Sequence, residues 1–244
     1  AQSAEHALRE SEGLMRDRLK KSEFWSAMVL LVLHVAVFPI ALSVLVAVRP
    51  DIMSAEQINL MYYALTTLLV FVLLGRYLRR SFDGLIDAPA HCLWTFCLGW
   101  GAYFVLSMAV SLLLTALGVD MQNNLNEETI GAMLGTQRGM MIAMTVFLAP
   151  VAEECLFRGG LFCGIYPKSR VAAYVVSSAM FCLYHVWQYA VALWDVSYLI
   201  MAVQYIPAAV VLCWVYERSG SLWTSIFFHM SVNGYAVLAA SAIN

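Results

Sequence analysis

The sequence predicts an all-α fold in the form of a polytopic bundle of transmembrane helices. Of its 244 residues, 62% are hydrophobic and 12% are charged, whereas soluble domains average about 45–50% and about 25%. A soluble protein of this length could not bury so many apolar side chains, because its surface needs more polar cover. The apolar residues also occur in long runs instead of alternating, which favours membrane helices over a membrane barrel.

A transmembrane helix needs about 20 apolar residues, and seven runs meet this requirement. They cover residues 24–48, 58–78, 92–117, 140–165, 171–194, 196–216 and 222–243. A break between Trp187 and Ser197 would divide the fifth run and raise the number of membrane helices from seven to eight. Residues 1–23 are polar and predict a leader helix that is cytoplasmic or lies at the membrane interface. The remainder, 24–244, is predicted to form one transmembrane domain with a motif-bearing core at about 139–244.

The distribution of Lys and Arg predicts a cytoplasmic N-terminus, because cytoplasmic loops carry an excess of these residues. In that orientation only Arg49 and Arg138 lie on the opposite side of the membrane. The cytoplasmic side then carries Arg9, Arg16, Arg18, Lys20, Lys21, Arg76, Arg79, Arg80, Lys168, Arg170 and Arg218. In total, 14 Lys and Arg face 16 Asp and Glu. This balance argues against nucleic-acid binding, which needs a basic surface, and the expected surroundings are the lipid bilayer.

The fourth run contains three charged residues, Glu153, Glu154 and Arg158. Charges within a membrane span cost several kcal/mol and usually mark a functional site. Glu154 and Arg158 are four residues apart and share one helix face, so they can form an ion pair. Glu153 is turned about 100° away from Glu154, which leaves it able to point elsewhere. The structural alternative is a buried ion pair with one protonated glutamate that only fixes helix packing.

Two further motifs with polar residues lie in later runs. Phe181 precedes His185 by four residues in the fifth, and His229 precedes Asn233 by four in the seventh. At about 1.5 Å of rise per residue, Glu153, both histidines and Asn233 lie about 11–21 Å from the cytoplasmic ends of their runs. This similar depth predicts one shared cavity near the membrane middle. By contrast, His34 in the first run is interpreted as a hydrogen-bonding packing residue.

A glutamate, two histidines and an asparagine can together hydrolyse a bond with activated water. A carboxylate and an imidazole can deprotonate the water, and a second imidazole and an amide can donate hydrogen bonds to an oxyanion. No Ser or Cys has a base partner at helical spacing. The six cysteines all lie within apolar runs and are interpreted as packing residues.

These motifs resemble those of the CAAX prenyl-endopeptidase and bacteriocin-processing family of intramembrane proteases, also called type II CAAX proteases or ABI proteins. That family carries EExxxR, then FxxxH, then HxxxN or HxxxD on successive membrane helices. The corresponding residues are Glu153, Glu154 and Arg158, then Phe181 and His185, then His229 and Asn233.

The resemblance implies that 24–244 is a protease domain that cleaves a peptide or protein substrate without a cofactor. It implies that Glu153 and His185 activate water, that His229 and Asn233 stabilise the oxyanion, and that Glu154 and Arg158 support the site. Substrates in the family include lipid-modified C-terminal peptides, and many bacterial members process peptides or confer bacteriocin immunity. The small size and short loops suggest a bacterial member, located in the cytoplasmic membrane.

Three alternatives remain open at this point. Glu153, His185 and His229 could bind zinc in a metalloprotease, although no HExxH motif is present. The chain could instead be a non-catalytic membrane binding or immunity protein that keeps the motifs for structure. A proton-coupled transporter that uses Glu153 is a third reading, for which no inverted repeat offers support.

Overall fold

The structure, a computed structural model, describes residues 19–49, 51–119 and 137–243. Within these residues the chain folds into eight helical elements. Helix accounts for 89% of these residues and no strand occurs among them, which confirms the predicted all-α fold. The elements are α1 (Lys21–Val48), α2 (Ala55–Asp87), α3 (Pro89–Ala116), α4 (Gln137–Ile165), α5 (Arg170–Tyr184), α6 (Trp187–Ala192), α7 (Val196–Ser219) and α8 (Leu222–Ile243). Most of the predicted leader helix, residues 1–18, lies outside the described residues.

In the described part of the chain, five helices, α1 to α4 and α7, are long and apolar enough to cross a membrane. Their outward faces carry large apolar side chains, such as Val72 at 69% and Leu112 at 64% exposure. Surfaces of this kind suit lipid and not water, so the helices indicate an integral membrane protein. The predicted total of seven or eight membrane helices stays a prediction.

The fifth predicted span is not one continuous helix. Helix α5 ends at Tyr184, and the short α6 follows after a turn. The side chain of His185 explains the break, because its Nδ1 lies 2.8 Å from the carbonyl oxygen of Phe181. In a continuing helix that carbonyl would accept the backbone N–H of His185, which instead bonds the carbonyl of Cys182. One break therefore comes at the motif histidine, and a second, at residues 193–195 between α6 and α7, lies within the stretch 187–197 where the sequence predicts one.

Helix ends in the bundle follow local sequence signals. At the start of α2, Ser54 and Gln57 form a capping box in which each side chain accepts a hydrogen bond from the other residue's backbone N–H. Helix α5 begins with the Ser169 hydroxyl accepting from the backbone N–H of Ala172. Helix α7 starts with a 3₁₀ segment, Val196–Tyr205, and ends at Ser219. The next residue, Gly220, has a φ of 65°, a left-handed conformation that glycine adopts without strain.

Helix α4 is the central helix of the bundle, since every residue from 149 to 160 is buried. Glycines let its neighbours approach closely. A Cβ on Gly160 would lie 2.8 Å from the Cβ of Ala27 on α1, and one on Gly159 would lie 2.9 Å from the ring of Tyr77 on α2. Close contacts between small residues are the usual packing mode of membrane helices. They place the charged motif of α4 at the centre of the protein.

Three π-helical segments interrupt the helices in the described ranges, at Leu33–Val37 in α1 and at Ala143–Leu148 and Glu154–Phe162 in α4. Such segments are rare and often occur at functional sites. Each of the three carries a residue that accepts a hydrogen bond from another helix, namely His34, Thr145 and Glu154.

Candidate active site

A buried ion pair lies behind the site and supports it. The Nη1 of Arg158 lies 2.9 Å from Oε1 of Glu154, and both side chains have no exposed surface. The pairing expected from their spacing is therefore present, although this part of α4 is π-helical and not α-helical. Arg158 also donates to the carbonyl of Ala209 on α7 at 3.0 Å, and Ser225 on α8 donates to Glu154 at 2.6 Å. The pair thus joins α4 to two other helices.

Phe181 links this ion pair to the histidines. The guanidinium of Arg158 lies over its ring, 4.2 Å from the centroid. The same ring lies 4.6 Å from that of His185 and 5.7 Å from that of His229, measured between centroids. Its carbonyl accepts from His185 Nδ1, so this bond fixes the imidazole and turns Nε2 away from the helix.

His229 lies between the two glutamates. Its Nδ1 is 3.0 Å from Oε1 of Glu154, and its Nε2 is 3.9 Å from Oε2 of Glu153. Because Glu154 is already the acceptor for Arg158 and Ser225, we assign the Nδ1 proton to His229. The Nδ1 contact therefore orients Nε2 toward Glu153.

Glu153 is the point where the site residues converge, and it is only 3% exposed. Its Oε2 lies 4.0 Å from Nε2 of His185 and 3.9 Å from Nε2 of His229. These separations exceed the roughly 2.7–3.2 Å of a direct hydrogen bond and would suit one bridging oxygen atom. Its Oε1 accepts from the hydroxyl of Tyr63 at 3.3 Å.

Asn233 is held by the first π-helical segment of α4, Ala143–Leu148. Its Nδ2 donates to the carbonyl of Thr145 at 2.9 Å. A side-chain amide carries two N–H donors, so this bond fixes the group while its second hydrogen can serve a ligand.

One cavity of about 670 Å³ has Glu153, His185, His229 and Asn233 in its wall. These are the four residues for which a direct chemical role is predicted from the sequence. Glu154 and Arg158 are absent from the lining and lie behind it, in the buried support. The cavity extends toward the end of the bundle where α1 ends and α2 begins, since Val46 and Ile58 also line it.

Sequence reasoning missed the tyrosines of the site. Besides Tyr63, the ring of Tyr205 on α7 stacks on His185 at 4.4 Å between centroids, and Tyr184 binds Tyr63. The adjacent tyrosines at 62–63 are a polar feature of the second apolar run and could have been a signal. Nothing in the sequence, however, connects them to Glu153 some 90 residues later.

The geometry gives limited support to a zinc centre. Within the described ranges, no group of three or more His, Cys, Asp or Glu is arranged to hold a metal ion. With bonds of about 2.1 Å, tetrahedral zinc ligands stand about 3.4 Å apart, which is closer than the 3.9 and 4.0 Å between Glu153 and the two imidazoles. Movements of a few tenths of an ångström would be needed.

The motifs lie in a segment of the chain that matches the model of a known family. A family model described as Type II CAAX prenyl endopeptidase Rce1-like matches residues 136–235, which run from the start of α4 into α8 and include every motif residue. No curated protein and no solved structure matches the chain. The resemblance to the type II CAAX proteases, a family of membrane peptide hydrolases, is therefore confirmed over residues 136–235.

Proposed function

We propose that the protein is an intramembrane endopeptidase of glutamate type. Its substrate would be a membrane-associated peptide or protein that is hydrophobic or lipid-modified. The observation that carries this proposal is the convergence of one carboxylate oxygen and two imidazole nitrogens within 4.0 Å, at the wall of a cavity. The protease family matched by residues 136–235 supports the same reaction class.

In the proposed mechanism, a water molecule binds between Oε2 of Glu153 and Nε2 of His185. His185 carries its proton on Nδ1, because the Phe181 carbonyl can only accept, so its Nε2 accepts a hydrogen bond from the water. Glu153 takes the other proton of the water as the water oxygen attacks the peptide carbonyl carbon. It then gives this proton to the leaving amine, and the peptide C–N bond breaks. General acid–base catalysis of this kind contributes about 10²–10⁴-fold.

The tetrahedral intermediate carries a negative oxygen that needs hydrogen-bond donors. Asn233 can supply the second N–H of its amide while the first stays on Thr145. His229, when both ring nitrogens carry protons, can hold Glu154 through Nδ1 and the oxyanion through Nε2. Glu154 and Arg158 would act only by holding His229 and α4 in place.

We further propose that 24–244 forms a single protease domain with seven membrane helices. The N-terminus would be cytoplasmic in a bacterial cytoplasmic membrane, as the Lys and Arg distribution favours. Helix α5 has only 15 residues, so it would cross the membrane together with the turn and the helix α6 that follow it.

The test uses purified protein in lipid vesicles with two peptides, one ending in a prenylated CAAX sequence and the same peptide without its lipid. Mass spectrometry would identify the cleaved bond. Glu153→Gln keeps the side-chain volume but removes the base, so kcat should fall about 10²-fold or more, equivalent to roughly 3 kcal/mol of transition-state stabilisation.

Glu217→Gln is the matched control. Glu217 is a buried glutamate on α7 that binds Arg170 and Tyr174, and it is not among the cavity residues. This variant should keep most of its activity if its melting temperature shows that it folds. Normal cleavage by a folded Glu153→Gln variant would contradict the assignment of the base.

A zinc-dependent protease is the second candidate. Both imidazoles bind a protein acceptor through Nδ1 and present Nε2, an arrangement that zinc-binding histidines also adopt. Glu153, His185 and His229 would be the ligands and would leave one position for water.

A further inference from the structure

A chain of hydroxyl groups, buried except for the partly buried Tyr63, runs from the centre of α1 to the carboxylate of Glu153. Starting at Glu153, Oε1 accepts from Tyr63 at 3.3 Å, and the Tyr63 hydroxyl lies 2.9 Å from that of Tyr184. The Tyr184 hydroxyl lies 3.1 Å from that of Tyr62. Tyr62 in turn donates to the carbonyl of His34 at 2.8 Å and lies 3.2 Å from its Nε2.

The far end of this chain is held from both sides. His34 and Thr66 have no exposed surface, and Nδ1 of His34 lies 3.3 Å from the Thr66 hydroxyl. That hydroxyl donates to the backbone carbonyl of Tyr62 at 3.0 Å, so it accepts from Nδ1. His34 is therefore protonated on Nδ1 and accepts at Nε2.

The three phenols supply one hydrogen each for the five contacts of the chain. Tyr62 uses its hydrogen toward His34, and Tyr63 uses its hydrogen toward Glu153. Tyr184 then donates to either of these two hydroxyl oxygens, both of which can accept. Every phenol hydrogen therefore has an acceptor, although only one of the two contacts of Tyr184 carries a hydrogen bond at a time. A buried network whose donors are all satisfied in this way is rigid.

Ring stacking adds to this rigidity. The imidazole of His34 lies parallel to the Tyr62 ring, with 4.8 Å between centroids and an interplanar angle of 8°. It also stacks on Tyr184 at 5.0 Å. Three helices, α1, α2 and α5, thus converge on one carboxylate of α4, and α1 and α2 lie outside the segment matched by the protease family.

We propose that this chain is a positioning device for Glu153, in which Tyr63 fixes the orientation of the carboxylate. The last torsion of a glutamate side chain is broad and weakly restricted. A hydrogen bond on Oε1 selects the rotation in which Oε2 faces Nε2 of His185 and of His229. Tyr63 acts through Glu153 and not on the substrate, and Tyr184, Tyr62 and His34 hold Tyr63. The catalytic consequence depends on the proposed function, whereas the orientation of the carboxylate does not.

Tyr63→Phe removes only the hydroxyl, so the first measurement is steady-state cleavage of the vesicle-bound peptide. We expect kcat to fall about tenfold, because a misplaced catalytic group costs one to two orders of magnitude, and KM to stay within about twofold. Tyr184→Phe should lower kcat in the same way but by less, since it removes the support and not the contact itself. An unchanged kcat, or a raised KM with kcat unchanged, would overturn the proposal, the latter making Tyr63 a substrate contact.

Tyr77→Phe is the matched control. Tyr77 also lies on α2 and forms a buried phenol pair, 2.7 Å from the hydroxyl of Tyr216, but it does not line the cavity. Its kcat and KM should match those of the unaltered protein, while its melting temperature reports the general cost of losing such a pair.

The second measurement is independent of activity. Infrared difference spectra between the unaltered protein and Glu153→Gln isolate the carboxyl band of Glu153. This band should shift in Tyr63→Phe and stay in place in Tyr77→Phe. A band that does not move in Tyr63→Phe overturns the proposal whatever the cleavage rates are. If the unaltered protein cleaves no peptide while the band shifts, the proposed function fails and the anchoring of the carboxylate by Tyr63 is upheld.

Discussion

The Nδ1 atom of His229 lies 3.0 Å from Oε1 of Glu154, so Glu154 holds the imidazole ring whose Nε2 faces Glu153. Adjacent residues of one helix thereby have different surroundings. Glu154 accepts hydrogen bonds from Arg158, Ser225 and His229 behind the cavity wall, whereas Glu153 lies in that wall. This difference makes the two glutamates separable by experiment.

Replacement of each glutamate by alanine should affect stability unequally. Glu154→Ala leaves Arg158 as an uncompensated charge that is completely buried, and breaking a buried pair in this way costs about 3–5 kcal/mol. Glu153→Ala removes a side chain with no ion pair to a permanent cation, so its melting temperature in detergent should fall less. Equal melting temperatures would show that the ion pair does not carry the stability assigned to it.

Close packing between α1 and α4 should depend on Gly160. A Cβ at this position would lie 2.8 Å from the Cβ of Ala27 and 3.1 Å from Cε of Met28. We therefore expect Gly160→Ala to destabilise the protein by about 1–3 kcal/mol, as overpacked cores do. Gly101→Ala on α3 is the control, because a Cβ there meets no atom within 4 Å, and it should be neutral or slightly stabilising. Thermal melts of the two variants that agree would argue against the close approach of the helices.

The all-α fold and the pairing of Glu154 with Arg158 follow from the sequence because both depend on patterns within single helices. Long apolar runs predict the helices, and spacings of four residues predict which polar groups share a face. These local rules hold for Glu154 and Arg158 even in a π-helical segment, since residues four apart still lie close together there.

Contacts between helices could not be obtained in this way. The bonds from Tyr63 to Glu153 and from His229 to Glu154 join residues 90 and 75 positions apart, and no periodicity within a helix reports such pairs. The end of α5 at Tyr184 was also missed, because it results from a side-chain bond of His185 that competes with the helix and not from a Pro or Gly.

The orientation of the protein can be tested with single cysteines in a cysteine-free background. Asp51 lies in the exposed turn between α1 and α2, and Lys168 lies in the exposed turn between α4 and α5. With a cytoplasmic N-terminus, an impermeant thiol reagent added to intact cells should label Asp51→Cys and leave Lys168→Cys unlabelled until the membrane is opened. Because the cavity extends toward the Asp51 end, this result would place that extension on the outer side. Labelling of Lys168→Cys in intact cells would reverse the orientation.

Removal of metal distinguishes the glutamate mechanism from the zinc mechanism. Oε2 of Glu153 lies 3.9 and 4.0 Å from the two imidazole nitrogens, which is wide for tetrahedral zinc and suitable for one bridging water. Protein dialysed extensively against a strong chelator should therefore keep most of its activity, and elemental analysis should find far less than one zinc per chain. A chelator can also inhibit by occupying the cavity, so the decisive step is the return of metal. Activity that disappears on dialysis and returns with one equivalent of zinc, but not with magnesium, would establish the metalloprotease instead. Glu153→Gln extends the test, because it weakens a carboxylate ligand and would lower the zinc content of a metalloprotease along with its activity.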